Sequence, residues 1–282
     1  MGKGKRVYFC WAIVKETVRK FFADNGLFLA SGLSFDLLLY CMPLSLLLVS
    51  GLGYTLVGSD QAVAWVHETL QNFLPGSQQP FFDALDRIIT NRGPLGLVGF
   101  LAFFILTSAL FGSVRIILNT VFHAPPPKSF LRGKFKDFLV MLGVSLLLLL
   151  TISVELLGTI INALSQQIPS LGGVLHQGMT LVTDLLSFFF TVALFFLLYR
   201  FSPSRSLGVP ALLVGSLTGA TLFALSKIAF SAYVTLAQSI TVLYGALGGF
   251  IFFFLWLFYS STVFVIGAEV CWAFQHIRQT SR

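Results

Sequence analysis

The sequence predicts an all-α, polytopic membrane protein with six transmembrane helices, an amphipathic N-terminal helix and short helices in an outer loop. Three observations carry this. Of 282 residues 56% are hydrophobic and only 10% charged, against roughly 25% charged in soluble domains. The apolar residues form six stretches, each at or above the roughly 20 residues that cross a bilayer. The basic residues fall almost wholly on alternate connections between those stretches.

Residues 1–26 carry Lys3, Lys5, Arg6, Lys15, Arg19 and Lys20, with Val7, Trp11, Val14, Val18 and Phe21 recurring at helical spacing. Cations and an apolar stripe on one helix predict an amphipathic helix lying along the headgroups. The apolar stretch that follows is too long for a signal-peptide core and lacks a small-residue cleavage site, so the segment is expected to be retained. The transmembrane domain is placed at 27–274, with spans at 27–57, 95–121, 138–163, 180–200, 207–236 and 242–274. Residues 275–282 form a tail. The outer loop, 58–94, is read as two short helices, 61–73 and 81–90, broken at Pro75 and Gly76. It is either a cap or a lid over a path.

Lysine and arginine favour the cytoplasmic side of short loops. The N-terminal segment has six. The second connection has Lys128, Arg132, Lys134 and Lys136, the fourth has Arg200 and Arg205, and the tail has Arg278 and Arg282. The opposite side has only Arg87 and Arg92. Both termini are therefore expected in the cytoplasm, and the net charge of +7 is assigned to topology and anionic lipid headgroups rather than to nucleic acid.

Six ionisable residues lie inside the spans: Asp36, Arg115, Glu155, Asp184, Lys227 and Glu269. A charge at the bilayer centre costs on the order of 3 kcal/mol on insertion scales, so such groups face a bundle interior or a watery cavity and mark substrate or ion pathways. At about 1.5 Å of rise per residue, Asp36, Arg115 and Glu269 fall toward the cytoplasmic side, and Glu155, Asp184 and Lys227 toward the outer side. Each group mixes acids with a base, which allows internal pairing; the bland alternative is ion pairs that lock helices or side chains that snorkel to the interface. Pro43 frees a backbone carbonyl in the first span. Gly215 with Gly219, and Gly245 with Gly249, form GxxxG pairs that pack helices; alternatively, Tyr244, Gly245, Gly248 and Gly249 form a flexible segment at the outer mouth.

No catalytic or metal set is recognised. His67, His123, His176 and His276 are scattered, Cys10, Cys41 and Cys271 show no CxxC, and no Walker loop is present. No cofactor and no enzymatic activity are expected, and the Phe-rich runs, among 31 phenylalanines, are read as lipid and helix contact.

The stretch AsnGlyLeuPheLeuAlaSerGlyLeuSerPhe at 25–35 followed by Pro43, the serine-to-asparagine segment at 108–119, Tyr199, Pro203, Gly215, Lys227, Phe230 and Tyr233, and the block from TyrGly at 244–245 through Trp256 and Tyr259 to GlyAlaGlu at 267–269 together resemble the YihY/BrkB membrane proteins, once labelled ribonuclease BN. The resemblance implies a six-helix protein of the bacterial inner membrane, with family names pointing to serum resistance or virulence and proposals of solute or lipid export. Asp36, where that pattern has an uncharged residue, and Phe122, where it has tryptophan, depart from it. Together with the buried charges, the resemblance points to a transporter or flippase for an amphipathic compound with membrane lipids as partners; a membrane scaffold is the alternative.

The charge asymmetry makes a direct prediction. In a cysteine-free background, cysteines placed at Ser129 and Ser281 resist an impermeant thiol reagent applied to intact cells and one at Ser77 reacts; the reverse pattern overturns the topology.

Overall fold

A computed structural model of the chain describes residues 3–56, 92–125, 136, 138–147, 149–151, 153–154, 158, 172–205, 207–236 and 246–280. Glu155, Tyr244, Gly245, residues 58–91 of the expected outer loop and most of the second half of the third expected span lie outside these residues.

Helix α1 runs Lys3–Ala23 and α2 runs Gly26–Leu56. They part at Asn25, which takes the left-handed region at φ 54°, a conformation asparagine tolerates better than most residues. The Asn25 N–H bonds to the Phe22 carbonyl, while its own carbonyl accepts the N–H groups of Phe28 at 2.8 Å and Leu29 at 3.1 Å. One residue thus ends α1 and starts α2, and Trp11–Ala23 meets Gly26–Cys41 at 68°. Gly26 is required there: a Cβ would lie 2.8 Å from Cγ of Phe21 and nearer still to its ring edge.

Helix α3 is Arg92–Val121. A shorter apolar helix, α4, covers Phe138–Thr151. Then come α5 (Gly172–Phe201), α6 (Val209–Leu236) and α7 (Ala246–Thr280). Among the described residues four helices are each long and apolar enough to cross a bilayer, and the bent α1–α2 pair makes up to a fifth. The protein is a polytopic helical membrane protein. The third expected span is seen only as α4, so the described residues do not complete the expected six.

The chain forms two compact units, 1–35 with 111–282, and 36–110. In the first, α7 packs on α6 and on α1, and α6 packs on α5. Small residues let α6 and α7 approach. A Cβ on Gly215 would stand 2.6 Å from the Gly267 carbonyl oxygen and 3.1 Å from the Cys271 nitrogen, and one on Gly219 would stand 3.0 Å from Cδ2 of Phe195. The Gly215–Gly219 pair therefore packs helices. Tyr199, fully buried on α5, donates its hydroxyl to the Phe264 carbonyl at 2.8 Å and stacks on Phe195. Aromatic side chains contribute similarly: Trp256 on α7 meets Phe223 and Phe230 of α6 at 5.7 and 4.9 Å between ring centroids, and Phe252 of the 252–254 run meets Tyr233 at 5.5 Å.

In the second unit, α2 continues through Pro43, and Tyr40 packs on Phe103 at 5.3 Å. Large apolar side chains stay exposed there, including Leu97, Val98, Leu101 and Ile105 of α3. An apolar surface of this kind is what a lipid-facing helix presents.

Because backbone stands opposite Gly215, relief by side-chain rotation is not available. Gly215→Leu is expected to destabilise the purified protein by about 1–3 kcal/mol or more through overpacking, seen as a lowered thermal midpoint in detergent, whereas a glycine with open space around it, Gly112, tolerates alanine with little change.

Candidate functional site

Helix α1 presents two different faces. Trp11, Val14, Val18 and Phe22 are exposed, whereas Ile13, Thr17, Lys20 and Phe21 are buried. The exposed set matches most of the expected apolar stripe, but Phe21 turns inward. So does Lys20, which the sequence reading counted among the headgroup-facing cations: it is 5% exposed. The reason is tertiary, since Ile13 packs with Val270 and Ala273, and Phe9 meets Phe274, laying this face of α1 on α7.

The Lys20 ammonium has three donors and three acceptors around it. It bonds to the Asp24 carboxylate, to the Val121 carbonyl at 2.8 Å, and lies 3.1 Å from Oε2 of Glu269. Its fourth neighbour is the face of Trp272, 4.7 Å from Nζ, a cation–π contact. Trp272 in turn stacks on His276 and faces His123.

Each acceptor is held in place by local structure. Asp24 follows Lys20 by one turn. Val121 ends α3, where His123 adopts φ 49°; the N–H of Ala124 returns to the Asn119 carbonyl at 2.8 Å and that of His123 to the Thr120 carbonyl at 3.2 Å. This is a Schellman closure, and it leaves the Val121 carbonyl for Lys20, a cation at the negative end of a helix. Glu269 is fully buried on α7, and its Oε1 has no hydrogen-bond partner among the described residues. Two carboxylates and a helix C-terminus thus surround one ammonium.

Further ties hold this end of the bundle. Asn119 exchanges two hydrogen bonds with Ser204 in the connection between α5 and α6, Lys136 donates to the Pro203 carbonyl at 2.8 Å, and the Gly208 N–H donates to Oε1 of Gln275 at 2.6 Å.

The other sequence candidates are placed as follows. Arg115 is half-buried on α3 and Asp36 half-buried on α2. Asp184 on α5 and Lys227 on α6 are exposed rather than enclosed, and the Lys227 Nζ lies 5.8 Å from the centroid of the Phe223 ring. Pro43 is buried within α2, and Gly249 falls in the first turn of α7. Glu155, Tyr244 and Gly245 lie outside the described residues. Lys20, Asp24 and Trp272 were missed; the available signals were the i,i+4 spacing of Lys20 and Asp24 before AsnGly and the i,i+3 spacing of Glu269 and Trp272. Between α6 and α7 runs an apolar groove of about 490 Å³, lined among others by Leu225, Phe230 and Leu255, with hydroxyls from Ser226, Tyr233 and Tyr259.

A bundle of long apolar helices with a buried ion cluster defines an integral membrane protein with a polar interior. Residues 17–282 match the family model described as Virulence factor BrkB, and the chain belongs to that family. It is 26% identical to a UPF0761 membrane protein of Rhodospirillum centenum over 92% of this chain and 56% of the relative. With a UPF0761 membrane protein of Pelodictyon phaeoclathratiforme the identity is 29% over 93% of this chain and 60% of the relative. With one of Vibrio parahaemolyticus it is 27% over 93% of this chain and 81% of the relative. The chain thus spans little more than half the length of the first two. No solved structure matches it.

Removing one partner of a buried ion pair costs about 3–5 kcal/mol, because the other charge is stranded. Lys20→Met is therefore expected to lower stability steeply, and Lys20→Met combined with Glu269→Gln to recover a large part of the loss. A double-mutant cycle on thermal midpoints measures this; strictly additive losses overturn the pairing.

Proposed function

We propose that this protein moves an amphipathic, lipid-like compound across the bacterial inner membrane as a transporter or flippase, coupled to a proton or sodium gradient, with both termini in the cytoplasm and export as the direction. The observation that supports this most is the buried cluster of Lys20, Asp24 and Glu269 inside a bundle whose other buried side chains, among the described residues, are uncharged and mostly apolar. Such groups are costly in a membrane and are retained where charge is handled. Exposed Asp184 and Lys227 on apolar helices suit a headgroup that travels along the protein–lipid boundary, and the α6–α7 groove suits an acyl chain. The uneven distribution of lysine and arginine supports the orientation.

This reading makes the chain a carrier rather than an enzyme. Phosphodiester hydrolysis uses clustered carboxylates or histidines that hold metal ions in water, whereas this acid cluster is built around an ammonium. Purified protein that cleaved structured RNA with magnesium, manganese or zinc would contradict it. One observation favours a scaffold instead: Asp24, the Val121 carbonyl and the Glu269 carboxylate together hold Lys20, as they would in a static lock between helices.

Reconstitution separates these readings. Labelled lipid is expected to cross vesicle membranes faster with the protein than without it, and faster again when a proton or sodium gradient is imposed. Asp36→Asn and Glu155→Gln are expected to reduce the gradient response while leaving folded protein. Equal rates with and without either gradient indicate a passive facilitator, and no movement at all supports the scaffold.

A further inference from the structure

Charge counting at Lys20 leaves an imbalance. The ammonium carries one positive charge; Asp24 and Glu269 together offer two negative ones, and the C-terminus of α3 adds partial negative charge through the Val121 carbonyl. The groups are not equivalent. The Asp24 side chain is 15% exposed at the rim and bonds directly to Lys20, whereas the Glu269 side chain is 0% exposed and its Oε1 meets no hydrogen-bond partner among the described residues. An uncompensated carboxylate buried in this way costs several kcal/mol. The missing positive charge must come from a small cation. A metal ion fits poorly, because the ammonium already holds the position between the acceptors and the described residues contain no group of three acids, histidines or cysteines that could bind one.

We propose that Glu269 is a proton-binding site of this protein, at which one proton is taken up on the carboxylate and released again while Lys20 stays charged. With the proton bound, Lys20 and Asp24 form a neutral pair and Glu269 is a neutral acid, so the cluster is balanced. On release the carboxylate is anionic, and its attraction to Lys20 tightens the hold of α7 on α1. The proton comes from and returns to water, which approaches on the side of Asp24, the most exposed member.

Other titratable groups on the surrounding elements include Glu16 and Arg19, paired with each other on α1, His123 beyond α3, Arg115 six residues before Val121 on α3, Tyr199 and Arg200 on α5, and Cys271, His276 and Arg278 on α7; α6 presents Gly215 to this part of α7. Thr17, buried and one turn before Lys20 on the same face of α1, has a hydroxyl with no partner among the described residues, a second polar atom left for the site to engage. What the proton is used for rests on the transport reading above; the binding itself does not.

The test is infrared difference spectroscopy of the full chain in lipid nanodiscs as pH is lowered. The expected result is a carbonyl stretch from a protonated buried carboxyl that shifts in heavy water, is lost in Glu269→Gln and persists in Glu155→Gln. Lys20→Gln is expected to move the pH midpoint of this band. If Glu269→Gln does not fold, native protein grown with carbon-isotope-labelled glutamate replaces it, and the band should shift with the label. A band that survives Glu269→Gln, one that ignores the glutamate label, an unmoved midpoint in Lys20→Gln, or no band at any pH overturns the proposal. Vesicles that show no lipid movement while the band is present sink the transport reading alone; a gradient response without the band sinks this site alone.

Discussion

The Lys20 ammonium is the constraint to which one end of this protein is fitted. A buried ammonium must find partners for its charge and its N–H groups, and here they come from three places: hydrogen bonds to Asp24 one turn on and to the last carbonyl of α3, and an ion pair with Glu269 of α7. Each requirement shapes the backbone. Asp24 is one turn beyond Lys20 because α1 persists to Ala23, and Asn25 then reverses the chain into α2. The Val121 carbonyl is left for Lys20 because the Schellman closure at His123 engages the carbonyls before it. The sites where the chain changes direction are therefore the sites where it meets the buried charge.

Helix α7 connects this charge to the tightest packing in the molecule. Residues two apart on a helix point about 200° from one another, so Gly267 and Glu269 serve opposite faces. Gly267 and Cys271 lie against Gly215 of α6, while Glu269, Trp272 and Ala273 turn toward α1. With backbone in contact on the α6 side, α7 has little freedom to roll, and the position of Glu269 is fixed from behind. The GlyAlaGlu segment is thus one mechanical unit: a notch for one neighbour and a charge for the other.

Length and hydropathy made the long apolar helices readable from sequence, and Glu269 stood out because an acid among Gly, Ala, Val and Cys has no other reason to be in a span. Lys20 did not stand out. It is one of six basic residues before the first apolar stretch, and only the acid four residues on, Asp24, separates it locally from Lys15, which is exposed and lies over Trp11. Its burial depends on which face of α1 meets α7, a tertiary fact. The same gap explains the grouping of Asp36, Arg115 and Glu269 by depth: rise per residue gives height in the membrane but not the direction a side chain faces. Asp184 and Lys227 sit on described helices yet face outward for that reason. The AsnGly beginning the signature at 25–35 was legible as a pattern, but its cause, a left-handed turn beside the Phe21 ring, required coordinates.

Helix α1 buries Thr17 and Lys20 beside Ile13 and Phe21 where it meets protein, and leaves Trp11, Val14, Val18 and Phe22 exposed, so large apolar side chains face outward and a charge faces inward. In lipid this is the favourable arrangement, since apolar surface gains nothing by leaving the tails and helix association rests on packing and polar contacts. It also determines what happens if α1 leaves α7. Lys20 and Asp24 lie one turn apart at the end of the same helix and form their own ion pair, so they can depart together as a neutral unit. Glu269 has no such companion on α7 and would remain in an apolar setting with its charge exposed to the full desolvation cost. The free energy of separating the two helices therefore falls mainly on the ionised form of Glu269, and the protonation of that one carboxyl is the chemical change best placed to decide whether α1 stays docked.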